Sequence, residues 1–581
     1  MTYKDTMAHL ITSNLRGNAD LPNHFDAIVV GSGMSGGWAA KELTGKGLRT
    51  LLLERGRDVK HVTDYPTATL NPWDFDHRGQ VPLETRQAYS VASRNYAFYE
   101  GSKHFYASDA ENPYLQDKPF DWIQGNQVGG RSLLWGRQTQ RWSDFDFTGP
   151  ARDGFAIDWP IRYADLAPWY SYVERFIGVS GNRDGLATLP DGEFLPAHQM
   201  NCVEKYFQKQ MSQHYPTRPV IMGRAAHLTQ PSAIHTQQGR AQCQHRTLCE
   251  RGCPYGGYYS SNSSTLPWAM KTGKLTLQTD AVVHSILYDA AKQRATGVRV
   301  VDRQTGSMTE YFADVLFLNA SALSTNRILL NSTSDRFPNG LGNDNGLLGK
   351  FMAFHSYRGR MSAQYDGFAD STTWGRRPNS SYLPRFRNVH RQETDFLRGY
   401  ATAFSAGRPS QPDRNGFGAE LKDRLTQYTP GPWSVMASMM GETIPKEHST
   451  VRLDPMQNDA WGIPLLRVSV AYDENDAKML RDFFEQFSEM FERAGFTARK
   501  PIDTGRLPGS ENHEMGGVRM GRDPKTSLLN SWNQLHHCKN VFVTDGACMT
   551  STSTQNPSLT YMALTARAAN YAVRQLKARQ L

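Results

Sequence analysis

The stretch from Phe25 to Glu54 constrains the chain most. An apolar run, Phe25, Asp26, Ala27, Ile28, Val29, Val30, leads into Gly31, Ser32, Gly33, Met34, Ser35, Gly36, Gly37. The run predicts a buried strand, and the glycines predict a sharp turn into a helix. In that reading Gly31 turns the chain, Gly33 lets the backbone approach a pyrophosphate, and Gly36 lets the helix pack closely on the strand. A phosphate would sit on the helix N-terminus. The helix runs from about Trp38 through Leu43, stops at Gly45 and Gly47, and returns as a second strand, Leu51 to Leu53, ending at Glu54. That carboxylate lies 18 positions past Gly36, where a dinucleotide fold places the acid that accepts hydrogen bonds from a ribose. A lone glycine fingerprint is a weak signal. Here strand, helix, second strand and acid agree on a dinucleotide site over an ordinary tight turn.

A chain of 581 residues is too long for one core and predicts two interleaved domains. Hydrophobic residues at 39% and charged residues at 21% place it in a soluble α/β or α+β class. No stretch of ~18 apolar residues occurs, so no membrane insertion is expected. The first twenty residues lack the apolar core of a secretory signal, so the expectation is a chain without its own export signal. The formal charge of +9 comes from scattered Lys and Arg with no basic run interleaved with aromatics, which argues against nucleic acid.

From Asp58 to Lys118 the sequence is polar, aromatic and irregular, an ordered cover or subunit contact, or else a solvated loop. A second glycine turn follows at Gly129 and Gly130, where backbone amides could approach a flat ring or a phosphate. Trp159 to Leu166 opens an aromatic-rich helix that ends near Gly178. Leu275 to Ile286 and Gly297 to Asp302 alternate like strands, and Ala313 to Asn319 is a buried strand running into a helix, Ser321 to Leu330, a second βαβ-like portion. From His355 to Lys500 alternating polar and aromatic strands predict a substrate domain. The stripe of Met479, Leu480, Phe483, Phe484, Phe487, Met490 and Phe491 on a helix begun by Asp473 is core. At the far end Val541 to Thr544 is a short strand delivering Asp545 and Gly546 to a small-residue loop, before a helix from about Pro557. Many flavoproteins hold the ribityl and pyrophosphate of FAD this way, which implies a discontinuous nucleotide domain. The expected organisation is residues 20–160 (nucleotide-binding part with cover loop), 161–240 (connecting helices and loops), 241–354 (cysteine cluster and second nucleotide-binding part), 355–502 (substrate-binding) and 503–581 (third nucleotide-binding part with catalytic residues).

Taken together, these stretches resemble the glucose-methanol-choline family of FAD-dependent alcohol oxidoreductases over nearly the whole chain. The carriers are Gly31 to Glu54, the Gly129 and Gly130 turn, Leu347 to Lys350, His513 to Gly521, and Asn556, Pro557, Ser558, Leu559, Thr560. The ending and the clustered cysteines look most like the bacterial branch of gluconate, glucose and glucoside dehydrogenase large subunits, of glucoside 3-dehydrogenase type. The resemblance implies a discontinuous α/β FAD-binding Rossmann-type domain with an α+β substrate domain on an antiparallel sheet. It implies His513 as the catalytic base and Asn556 as its partner, the alternative for Asn556 being a cap on the helix that starts at Pro557. Gly31, Gly33, Ser35, Gly36, Glu54, Arg55, Gly129, Gly130, Ser132, Val282, Asp545, Gly546, Asn556 and Pro557 are the expected FAD-binding residues. No histidine stands out for covalent attachment, so the FAD is expected to be non-covalent. Where several oxidases of the family have a second histidine, this chain has Asn556.

Cys243, Cys249 and Cys253, separated by five and three residues and followed by Pro254, resemble part of a ferredoxin-like ligand set. Three thiolates suit a [3Fe-4S] cluster. A cubane would need Cys202 or His245, a Cys3His zinc site is the structural alternative, and a Cys249 to Cys253 disulfide or three unrelated cysteines are the bland ones. A cluster would pass the two electrons of a hydride singly to a one-electron acceptor. In the resembled enzymes that acceptor is a cytochrome, and a small partner subunit carries a twin-arginine signal for both chains, which implies a periplasmic enzyme; a cytoplasmic one is the alternative. The expected activity is oxidation of a secondary hydroxyl of a sugar or glycoside at C3, with hydride transfer to flavin N5. The rivals are an oxygen-using oxidase of the same fold, a non-catalytic flavoprotein subunit of an electron-transfer complex, and a nicotinamide dehydrogenase.

Overall fold

The computed structural model describes residues 23–373, 377–411, 413–427 and 429–581; the N-terminal residues read for an export signal lie outside this set. Two large sheets organise the chain. The first has seven strands, in the order Leu275–Gln278, Thr50–Leu53, His24–Val30, Met308–Leu318, Arg294–Asp302, Ala281–Asp289, with Val541–Val543 also paired to Met308–Leu318. The strands around His24–Val30 run parallel and read as nearly unbroken apolar stretches because both faces are covered. Helices Met34–Gly45 and Ser558–Lys577 pack on each other over one face, where Ala39, Ala40, Ala568 and Ala572 keep side-chain bulk small.

Register decides where a ligand can sit. Val30 pairs with Leu53 and Leu318, and Leu318 with Val543, so four parallel strands end at one level. Gly31, Glu54 and Asn319 directly after them, and Asp545 one residue further on past Thr544, therefore share one crevice at the carboxyl edge of the sheet, where open α/β sheets take their ligands. The second βαβ-like portion expected from sequence is built differently. Ala281–Asp289, Arg294–Asp302 and Met308–Leu318 form an antiparallel meander. The helix Ala322–Asn331 follows, and the parallel strand beside Met308–Leu318 arrives only at Val541.

The second sheet is antiparallel, in the order Thr497–Asp503, Gly359–Tyr365, Trp433–Glu442, Tyr400–Gly407, Ser381–Leu383, Ile221–Met222, with His355–Ser356 paired to the end of Trp433–Glu442. Strand alternation splits its faces. Val435, Ala437 and Met439 join Tyr400 and Phe404 in a core closed by helices Cys202–His214 and Glu474–Arg493, while Ser438, Met440 and Ala403 face the crevice. The Phe and Met stripe of Glu474–Arg493 lies in this core, and Asp473 caps the helix by accepting the Asp476 N–H at 3.1 Å. Thr450–Asn458 and Pro464–Ser469 pair with each other, and Val451, Leu466 and Val468 pack into the first core.

Candidate active site

A cavity of about 490 Å³ runs between the carboxyl edge of the first sheet and the open face of the second. Gly31, Gly33, Ser35, Glu54, Arg55, Gly130, Ser132, Val282, Asp545, Gly546, His513 and Asn556 all line it. Gly36, Gly129 and Pro557 are not among its lining residues. A Cβ at Gly36 would lie 2.8 Å from the Gly31 carbonyl carbon, and one at Gly129, which has φ +88°, would overlap the Asn262 side chain. At Gly33 a Cβ would meet nothing within 4 Å, so its open side faces the cavity at the start of helix Met34–Gly45.

Ser32 ties the two glycine turns together. Its hydroxyl donates to Glu54 Oε2 at 2.5 Å and accepts the Gly129 N–H at 2.9 Å, while its own N–H donates to Glu54 Oε2 at 3.1 Å. Glu54 Oε1 accepts the Gly56 N–H at 3.0 Å. Burial pushes the Glu54 carboxyl up and these donors pull it back. Across the cavity Asp545 accepts the Thr325 hydroxyl at 2.5 Å and the Ala547 N–H at 2.9 Å, with burial raising its carboxyl to about 6. Arg55 stacks over Trp461, and burial lowers its guanidinium to about 10. Asn319 Oδ1, Asn512 Oδ1, Glu511 Oε2 and the Tyr561 hydroxyl belong to lining residues and have no hydrogen-bond partner among the described residues. Such buried polar atoms ordinarily find a partner. Together with the open Gly33 face and the acids at two strand ends, they fit a dinucleotide of the FAD type.

Beside this cradle lies the chemistry-bearing pair. His513 Nε2 is 3.4 Å from Asn556 Nδ2. Burial above all holds the His513 imidazole well below the usual histidine range, so it is neutral near pH 7 with a lone pair free to take a proton. The neighbouring Glu514 accepts a two-pronged ion pair from Arg131, at 2.9 and 2.7 Å, which anchors the histidine loop to the second glycine turn. Helix Ser558–Lys577 has Pro557 at its N-cap position with no side-chain capping bond. Gly516 and Gly517, which follow in the same loop, are required by protein packing. Both have positive φ, and a Cβ would crowd the Phe351 backbone at the first and the Asn326 side chain at the second.

Sequence reading missed several lining residues: Gln124, Asn126, Tyr96, Tyr357, Tyr382, Ser438 and Glu511. Gln124 and Asn126 flank Gly125 before the second glycine turn, which was a usable signal. The others come from strands and loops brought together only by the fold.

Cys243, Cys249 and Cys253 lie on one loop, and all six cysteines are free thiols, so the Cys249 to Cys253 disulfide is not formed. Cys249 Sγ is 3.8 Å from His227 Nε2, Cys253 Sγ accepts the Gly257 N–H at 3.4 Å, and Glu250, next to Cys249, lines the cavity beside Arg137. Cys202 opens helix Cys202–His214 on the second core, with Asp370 and Glu204 as its charged neighbours. Among the described residues no group of three or more His, Cys, Asp or Glu side chains is arranged to hold a metal ion. Burial pushes the Cys243 thiol up and the Cys249 thiol up to about 11. The thiols as placed do not fit an iron–sulfur cluster.

A parallel sheet ending in a dinucleotide cradle, roofed by an antiparallel sheet and flanked by a neutral histidine, defines a flavin-type oxidoreductase. Residues 25–355 and 445–565 match the N- and C-terminal domains described as GMC oxidoreductase. The chain belongs to the GMC oxidoreductase family, which binds FAD. It is 27% identical over 571 residues to 2-methyl-1,2-propanediol dehydrogenase of Mycolicibacterium austroafricanum, covering 95% of each chain. It is 27% identical to fructose dehydrogenase large subunit of Gluconobacter japonicus, covering 95% of this chain and 98% of that one. The crystal structure of pyridoxine 4-oxidase from Mesorbium loti shares the fold, with a TM-score of 0.58, 17% identity, and coverage of 94% of this chain and 99% of that one.

Proposed function

We propose that this protein is an FAD-dependent dehydrogenase that oxidises a secondary hydroxyl of a sugar or glycoside at C3, giving a 3-keto product. The observation that carries the reading is the meeting of His513 Nε2 and Asn556 Nδ2 at 3.4 Å on the wall of the cavity that holds the dinucleotide cradle. FAD held by the Gly31 to Ser35 turn, Glu54, Arg55 and the Asp545 segment would accept the hydride at N5. His513 takes the hydroxyl proton on Nε2, which it can do because its ring is neutral. Asn556 donates from Nδ2 to the substrate oxygen and orients the carbon for transfer without itself titrating. Tyr96, Tyr357, Tyr382, Ser380 and Ser438 give the cavity aromatic faces and hydroxyls, a lining suited to a sugar ring. The names of relatives, a fructose dehydrogenase among them, support a sugar-like alcohol.

The test is anaerobic reduction of the purified flavoprotein by a panel of glycosides and their 3-deoxy analogues. Bleaching by the parent sugars and none by the 3-deoxy forms is expected; equal bleaching by both removes the C3 assignment. The oxidase reading is favoured by the name of the structural neighbour. Hydrogen peroxide formed stoichiometrically with substrate would establish it. The proposal includes an electron exit to a cytochrome c and periplasmic export with a small partner subunit bearing a twin-arginine signal. These rest on the resemblance and on a relative named as a large subunit. Reduction of cytochrome c by the substrate-reduced flavoprotein and co-purification of a second subunit test them. Among the described residues no helix is long and apolar enough to cross a membrane.

A further inference from the structure

Strand Lys350–Ala353 pairs antiparallel with Met515–Gly517, with Ala353 opposite Met515. Continuing that register by two residues on each strand sets His355 against His513. The two rings meet edge to face, with Nδ1 of one 2.9 Å from Nδ1 of the other. His355 is buried and is held on its far side by backbone pairing with Glu442 in the second sheet. Its N–H donates to Glu511 Oε1 at 3.3 Å, and the Tyr472 hydroxyl donates to its carbonyl at 3.3 Å.

Two neutral imidazoles that touch through Nδ1 can share one hydrogen there, and only one. A hydrogen on neither leaves two lone pairs opposed, and one on each leaves two donors opposed. We infer that His355 is a positioning residue that accepts the Nδ1–H of His513, and thereby selects the His513 tautomer whose Nε2 lone pair faces Asn556 and the substrate. This rests on His513 being the base of the proposed reaction. His355 then carries its own hydrogen on Nε2, which lies near the Ser553 backbone without a hydrogen bond formed among the described residues. When His513 takes the substrate proton, its Nδ1–H stays bonded to His355, so the charge formed is stabilised without moving an atom of the protein. Burial holds His355 down at about 4, which keeps it neutral and able to accept throughout the working range.

The charged groups around the pair leave the selection to His355. Arg131 is neutralised by Glu514, Arg385 by Asp146 and Glu442, and Glu511 is held protonated to about 8 by burial. No carboxylate hydrogen-bonds to either ring among the described residues, so the orienting role that an acid often fills falls to a second imidazole.

The experiment measures the anaerobic flavin-reduction rate against pH and substrate concentration for wild type, His355→Leu, His355→Asn and His513→Ala, each checked for bound FAD. An Asn Oδ1 can stand near the place of His Nδ1 and accept the same hydrogen, whereas Leu cannot. His355→Leu is expected to lower the limiting rate at least ~10-fold with apparent KM within ~2-fold, and to move the acid limb to lower pH because the protonated base loses its acceptor. His355→Asn is expected to restore most of the rate and the position of the limb. If His355→Leu keeps the wild-type rate and profile while His513→Ala is crippled, the positioning role is refuted and the base stands. Equal impairment of the Leu and Asn variants refutes it as well, and points to packing. A wild-type rate in His513→Ala removes the base assignment itself.

Discussion

Replacing Gly33 and Gly36 separately by alanine separates a ligand-facing glycine from a packing glycine within one turn. Gly33 has φ −69° and ψ −153°, an extended conformation open to any residue, and a Cβ there would meet nothing within 4 Å. The FAD-free Gly33→Ala protein should therefore unfold at or slightly above the wild-type temperature, with a gain of about 0.4 to 1 kcal/mol from reduced freedom of the unfolded chain. The same methyl stands in the cavity before the N-terminus of helix Met34–Gly45 and would hold a pyrophosphate off the amides. Losing one charge-assisted hydrogen bond, about 1.5 to 3 kcal/mol, weakens FAD binding by about 10- to 150-fold. At Gly36 the Cβ would stand 2.8 Å from the Gly31 carbonyl carbon, and backbone cannot swing aside as a side-chain tip does. Gly36→Ala should lower the unfolding temperature of the FAD-free protein, by an overpacking cost of about 1 to 3 kcal/mol or more. Thermal unfolding of the FAD-free proteins and fluorescence titration with FAD measure both quantities. Wild-type FAD affinity in Gly33→Ala would refute the placement of the phosphate, and an unaltered unfolding temperature in Gly36→Ala would refute the packing argument.

Glu54→Ala should weaken FAD retention through dialysis by about 1.5 to 3 kcal/mol, since the ribose loses an acceptor and Ser32 and Gly56 lose theirs; undiminished flavin content would count against Glu54. The wild-type flavin-reduction rate should stay flat as pH falls from 8 to about 6.5, because His513 is held below the usual histidine value and stays neutral, and its acid limb should lie below that pH. A limb centred above about 6.5 would contradict a buried, neutral base. Cys249→Ser should leave sugar-dependent flavin reduction intact, and wild-type protein purified without air should hold no stoichiometric iron, since the thiols as placed form no metal site among the described residues; an iron content that depends on Cys249 would overturn that placement.

The first glycine turn is readable in the chain because strand, turn and helix are local, and each choice there is forced by backbone geometry at Gly31 and Gly36. Asp545 could be read the same way, as the residue after a short apolar strand. Gly516 and Gly517 are less legible, because a glycine tolerates close approach from any side and sequence does not say from which. Here the close neighbours are Phe351 and Asn326. The cysteine spacing describes a loop but not the directions of its thiols, which depend on packing against His227, Tyr65 and Arg137. His355 carries no local signal at all. It lies two residues past a four-residue strand whose partner comes some 160 residues later, so its contact with His513 follows only from register.

The same dependence on distant segments explains the buried charges behind the site. Asp146, Arg385, Arg398 and Glu442 are all buried and are joined by ion pairs of 2.9 to 3.2 Å between Arg385 and its acids and 3.0 Å between Arg398 and Glu442. Ser553 donates to Asp146 at 2.8 Å, three residues before Asn556. Burying charges costs more than a close-packed apolar filling would, so the network is a poor source of net stability and a good source of specificity: an acid facing the wrong partner would be left unpaired. It joins a helix of the first region, Asp144–Arg152, to three strand ends of the second sheet and to the loop that delivers Asn556. Glu442 is also the residue that pairs with His355 through the backbone. One set of fixed charges thus locates both neighbours of His513, Asn556 through Ser553 and His355 through Glu442, although the three come from different parts of the chain. A base with two correct neighbours needs this kind of long-range constraint, because no local propensity of its own loop supplies it.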